Sequence, residues 1–150
     1  MKATYGAEAD LDLSLFVRMN RSTQAIVREI QRVLSQHELS LTQFAVLEAL
    51  FHKGSLTTGE IMRSILTTGG NITIVLKNLE RKGLIAVCED PQDRRRRTGR
   101  LTEEGERILI EAFPDQLTVI RDKLKVLSEE EKKILIDLLY RIERKEQEDA

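Results

Sequence analysis

Within TGGNITIVLKNLERKG, residues 68–83, four apolar side chains, Ile72, Val75, Leu76 and Leu79, fall at i, i+3, i+4 and i+7. That spacing makes one buried stripe on a helix, with Thr67 or Thr68 as N-cap and Gly83 as the terminating residue. At about 100° per residue, Gly70, Thr73, Ile74, Lys77 and Arg81 point away from the stripe. The segment must therefore rest on a core while offering a small, polar and basic face to something else.

The preceding residues supply the support. In SLTQFAVLEALFHKG, Ser40 and Gln43 form a capping box, Phe44, Leu47 and Leu50 share a face, and Gly54 is the stop. TTGEIMRSI repeats the logic, with Thr57 capping, Glu60 reaching back to its amide, and Ile61 and Ile65 giving apolar contacts. Two short helices joined by a tight connection, the second with a basic outer face, match a helix-turn-helix.

Downstream, Leu84 to Glu89 favours a strand, DPQD signals a turn, and RRRRTGRL returns as a partner strand. Bracketed by helices, this β-hairpin is a wing. Strand alternation would line Arg94, Arg96 and Arg100 along one face and Arg95 and Arg97 along the other, so that one face tracks a phosphate backbone. Asp93, two residues before Arg95, is expected to pair with it and set the wing tip.

Long amphipathic segments flank this unit. Phe16, Met19, Ile26, Ile30, Val33 and Leu34 recur at helical spacing between about Asp10 and His37. Thr102 caps a helix to about Val126, with Glu103 and Glu104 in its first turn and a kink expected at Pro114. A Ser128–Glu131 capping box opens a last helix to about Lys145. The predicted fold is mainly α: a winged helix-turn-helix core over residues 38–101, with residues 10–37 and 102–148 as dimerisation helices of a single domain, 1–150. The core does not need three extra helices to fold, so their spare apolar faces predict a homodimer interface.

Charge narrows the partner. A formal net charge of −1 and a pI near 6.2 exclude a polycation that coats nucleic acid indiscriminately, so any DNA site must be local. Cys88 is the only cysteine and no apolar run has the length of a secretion signal or a membrane span, which predicts a soluble cytoplasmic protein. No Ser-His or Cys-His pairing and no metal-ligand spacing is present, so neither catalysis nor a metal or other cofactor is expected. His37 is assigned to the last carbonyls of the first helix over ligand binding, Cys88 to a half-buried thiol in the wing over redox sensing, and His52 is open between the same two roles as His37.

LTQFAVLEAL, ILTTGGNITIVLKNLERKGLI and DPQDRRRRTGRLTEEGERIL resemble the MarR (multiple antibiotic resistance regulator) family of dimeric transcription regulators over nearly the whole chain. The most specific match is Asp-x-Arg followed by Leu-Thr-x-x-Gly, here Asp93, Arg95, Leu101, Thr102 and Gly105. The resemblance implies a homodimer reading a pseudo-palindromic site in double-stranded promoter DNA. It also implies a repressor released by a small, often aromatic, effector or by oxidation.

Carried onto this chain, the resemblance makes Thr68 to Lys82 the recognition helix and Leu84 to Leu101 the wing. The expected DNA-binding residues are then Thr68, Gly70, Asn71, Thr73, Ile74, Lys77 and Arg81, with Asp93, Arg94, Arg95, Arg96, Arg97 and Arg100 in the wing. The chain departs from the pattern at Val87, where a basic residue is common, and at Arg97 and Gly99, which predict a looser and more cationic hairpin. The competing reading is a winged-helix domain used only for protein contacts, which the arginine-rich wing opposes.

Overall fold

A computed structural model describes residues 4–65 and 71–148, with residues 145–148 described through their backbone alone. The chain runs α1 (Ala7–Ser35), α2 (Leu41–Lys53), β1 (Leu56–Thr57), α3 (Thr58–Ser64), α4 (Ile72–Arg81), β2 (Ile85–Glu89), β3 (Arg97–Leu101), α5 (Glu103–Leu124) and α6 (Glu129–Glu148). It is a mainly helical winged-helix fold with one small antiparallel sheet of order β1-β3-β2.

The helix starts follow local chemistry. The capping boxes at Ser40–Gln43 and Thr57–Glu60 form in both directions, and Ser128 and Glu131 exchange the same pair of bonds. Phe44, Leu47, Ile61, Leu79 and Ile85 are fully buried and join α2, α3, α4 and the sheet in one core. Leu34 and Ile30 from the second half of α1, with Leu109 and Ala112 from α5, extend that core. The helix-turn-helix thus rests on the lower part of the flanking helices.

Several expectations change. The helix after the turn begins at Ile72 and is capped by Asn71, whose side chain accepts the Thr73 N–H at 3.0 Å. Thr67, Thr68 and Gly70, expected at its start, lie outside the described residues. Asparagine competes well for the N-cap position, and here it sits beside the first residue of the apolar stripe. The wing is more than a hairpin, because β1 adds a third strand through Leu56↔Gly99 and Thr57↔Thr98.

The returning strand starts only at Arg97, which leaves Arg94, Arg95 and Arg96 in the turn. Strand alternation therefore cannot sort them as predicted. Asp93 does set the tip, but through backbone: its carboxylate accepts the Arg95 N–H at 3.0 Å and its carbonyl the Arg96 N–H at 2.9 Å. Nor is the hairpin loosened at Gly99. Its β2–β3 register is continuous from Ile85↔Leu101 to Glu89↔Arg97, and Gly99 is buried beside Ile61 and Leu50.

His37 does not serve the end of α1 with its ring; its Nε2 lies 2.7 Å from Asp115 Oδ2, tying the end of α1 to the middle of α5. The flanks divide sharply in burial. In the first half of α1, Leu11 and Phe16 are 70% and 62% exposed, and α6 buries none of its described side chains. Both apolar surfaces are thus open in the single protomer. Among the described residues no helix is long and apolar enough to cross a membrane.

Candidate nucleic-acid interface

Helix α4 presents Thr73, Ile74, Lys77 and Arg81 as exposed side chains, while Leu76 and Leu79 on its other face are buried. Ile74 is 56% exposed, a branched apolar group suited to a thymine methyl in a major groove. Asn71 is engaged as the cap, so its side-chain oxygen already accepts one bond. Its position at the mouth of α4 keeps it beside Thr73.

The wing arginines gather in two places. Arg97 shares a face of β3 with Gly99 and Leu101 but, at the strand's outer end, stays exposed. There it lines a cleft of about 120 Å³ with Thr58, Thr73, Lys77 and Glu80. Arg95 and Arg96 join Arg97 in a wider concavity of about 450 Å³, closed on its far side by Thr58 and Arg63 of α3. Arg100, three positions along the strand from Arg97, falls on the opposite face with Thr98. The structure thus brings Arg95, Arg96 and Arg97 together beside α3, with Arg97 alone also reaching α4, and leaves Arg100 outside the group.

Arg63 was missed by the sequence reading, which used TTGEIMRSI for its capping box and the apolar contacts of Ile61 and Ile65. The available signal was its place on the outer side of the short helix α3, in the last turn. An anionic group sits among these cations. The Thr57 amide and hydroxyl both donate to the Glu60 carboxylate and, with Arg96 and Arg63 nearby, hold its carboxyl below the usual glutamate range. Glu60 is thus occupied with fixing the start of α3, and the guanidinium groups around it are aimed at solvent and available to phosphate.

A second concavity lies between α2 and α5. It has a volume of about 330 Å³ and is walled by Phe51, His52, Leu109, Ile110, Phe113 and Pro114, with Glu48 at its edge. The surface is nearly all apolar, and the Phe51 and His52 rings meet edge to face at 5.3 Å. The wing thiol, Cys88, is exposed rather than half-buried. Among the described residues no group of three or more His, Cys, Asp or Glu is placed to hold a metal ion.

Comparison with known proteins agrees with this geometry. The family model described as MarR family matches residues 39–96, which span α2 through the wing turn. The chain is 37% identical to the HTH-type transcriptional regulator MhqR of Bacillus subtilis over 130 residues, 87% of this chain and 90% of that one. Among solved structures, BpsR of Bordetella bronchiseptica aligns with a TM-score of 0.76 at 25% identity, over 83% of this chain and 89% of that one. That structure is described in terms of the regulation of BpsR DNA binding by 6-hydroxynicotinic acid. The PcaV transcriptional regulator of Streptomyces coelicolor aligns with a TM-score of 0.70 at 28% identity, over 86% of this chain and 94% of that one.

Proposed function

The chain belongs to the MarR family of DNA-binding transcriptional regulators, and on that premise we propose that it acts as a homodimeric repressor on a pseudo-palindromic promoter site. Each protomer lays α4 in a major groove and grips the adjoining backbone with its wing. The observation that carries this reading is the cleft that Arg97 shares with Thr73 and Lys77 on the exposed face of α4, which Arg97 joins to the neighbouring concavity of Arg95, Arg96 and Arg63. Base contacts and phosphate contacts are thereby offered side by side. Thr68 and Gly70 keep their DNA-binding role on sequence grounds alone, Arg81 ends the helix at the margin of the same groove, and Arg94 extends the wing tip.

A small, largely apolar aromatic effector is proposed for the concavity between α2 and α5. Its walls are aromatic and aliphatic, and it joins the helix-turn-helix to a flanking helix, so occupancy there would bias their relative placement. The regulated binding of BpsR supports an effector of this general size. A repressor of this kind works in the bacterial cytoplasm.

The test is a binding titration of the full-length protein against its own upstream intergenic duplex and a random duplex, over a range of salt concentrations. Arg95→Ala with Arg96→Ala is expected to weaken both complexes and to lower the salt slope by about 0.9 for each phosphate no longer neutralised. Specificity should largely survive. Thr73→Ala or Lys77→Ala should instead cost about 1–3 kcal/mol on the specific duplex and much less on random DNA. If the arginine variant kept both the affinity and the salt slope of the wild type, the wing would be a solvated surface and the DNA reading would lose its main support.

A further inference from the structure

The C-terminal end of α4, the root of the wing and the first turn of α5 meet at one point. Gly83, with φ of +72°, ends the helix and sends the chain into Leu84 and β2. Thr102 then closes on that corner in three ways. Its N–H donates to the Leu84 carbonyl at 3.2 Å, and its hydroxyl donates to the Gly83 carbonyl at 2.6 Å. The same hydroxyl accepts the Gly105 N–H at 3.0 Å. Gly105 brings the backbone of α5 so close that a Cβ there would lie 1.9 Å from the Leu84 carbonyl oxygen.

One hydroxyl therefore bonds to two places at once, the start of α5 and the turn that ends the recognition helix. The rest of α5 packs against α1 and leads into α6, the part of the chain whose apolar faces are open. From this geometry we infer that Thr102 is a positioning residue: its hydroxyl locks the recognition helix and wing to α5, and so fixes the separation of the two recognition helices in the dimer. The inference rests on the homodimeric reading above.

Leverage makes the joint matter. A helix of 22 residues is about 33 Å long, so about 5° of play at one end moves the other by about 3 Å. Half-sites lie a fixed helical turn apart, so play of that size shifts one recognition helix relative to its groove. An N-cap alone does not prevent this, since a cap holds only its own helix. The Thr102 N–H and the seat of Gly105 already hold α5 to Leu84, and the donation to the Gly83 carbonyl adds a side-chain bond to the turn that ends α4.

Substitution can separate these two duties. Thr102→Asp keeps an excellent N-cap acceptor for the Gly105 N–H but has no proton to donate to the Gly83 carbonyl, whereas Thr102→Ser keeps both bonds. The measurement is the distance distribution between nitroxide labels on the full-length dimer without DNA, attached at Glu80→Cys in a Cys88→Ser background. Glu80 is an exposed residue of α4, so each label reports one recognition helix.

The Thr102→Asp distribution is expected to widen about twofold, matching a few ångströms of play at the helix end. Thr102→Ser should stay as narrow as the parent and unfold close to it, while Thr102→Asp, whose carboxylate faces the Gly83 carbonyl oxygen, should unfold somewhat lower yet remain a folded dimer. Thr102→Val, which loses both bonds, should widen the distribution and also lower the unfolding temperature. A Thr102→Asp distribution as narrow as the parent's, in a dimer, would overturn the positioning role and leave the dimer standing. A Thr102→Ser distribution as wide as that of Thr102→Asp would also overturn it. If the parent gave no inter-label distance at all, the homodimeric reading would fall and the proposal with it.

Discussion

Leu135→Glu combined with Leu138→Glu should convert the protein into a folded monomer with little affinity for its promoter site. The two leucines lie three residues apart on one side of α6 and are 43% and 46% exposed in the protomer. Among its described side chains α6 buries nothing against its own chain, so charge at these positions costs the monomer little. In a dimer that closes over α6, the same change would take two carboxylates per protomer out of water, at several kcal/mol each unless paired. Dimer dissociation should rise by about a thousandfold or more, and a monomer holding one half-site forfeits the gain of linked binding. Sedimentation at micromolar concentration reads the first effect and promoter titration the second. A variant that remained dimeric would place the interface elsewhere and leave the open apolar faces of α1 and α6 without their proposed partner.

What the sequence revealed and what it concealed divide by range. A capping box works within four residues, and Ser40–Gln43, Thr57–Glu60 and Ser128–Glu131 all form as their spacing dictates. The stripe Ile72, Val75, Leu76 and Leu79 likewise faces inward, because a helix of any origin puts those positions together. The start of α4 was harder, since TTGGN offers several residues able to cap, and only the position of Asn71 relative to the turn selects it. Strand β1 is two residues long and exists because β3 has a free edge beside it, a fact of tertiary placement with no local pattern. For the same reason the arginine run misled: the length of the turn depends on the bonds Asp93 makes, and shifting the start of β3 to Arg97 reassigns every arginine around it. Arg63 entered the site from another element altogether. The chemistry of the candidate site was therefore legible, while which of its residues gather together depends on packing.

Gly105→Ala should destabilise the fold by about 3 kcal/mol or more, at the upper end of what overpacking usually costs. The added methyl would sit 1.9 Å from the Leu84 carbonyl oxygen and 2.9 Å from Leu101 Cδ2. The side chain at Leu101 can turn aside. The carbonyl cannot, because it already accepts the Thr102 N–H and belongs to the backbone between α4 and β2. Relief would require α5 to lift from the wing root, breaking the bonds of Thr102 and exposing Leu84 and Ile85, both buried. Gly99→Ala provides the internal contrast, since its new methyl would meet Ile61 Cδ1 at 3.7 Å, an ordinary contact. A change of less than about 1 kcal/mol is expected there, with the gain in strand propensity offsetting any crowding. Both glycines are buried and lie six residues apart, so burial alone predicts similar costs and the seating of α5 on the Leu84 carbonyl predicts very different ones. Chemical denaturation of the two variants decides between them: equal stabilities would mean that α5 does not bear on that carbonyl, and the rigid joint between the dimerising helices and the recognition helix would lose its structural basis.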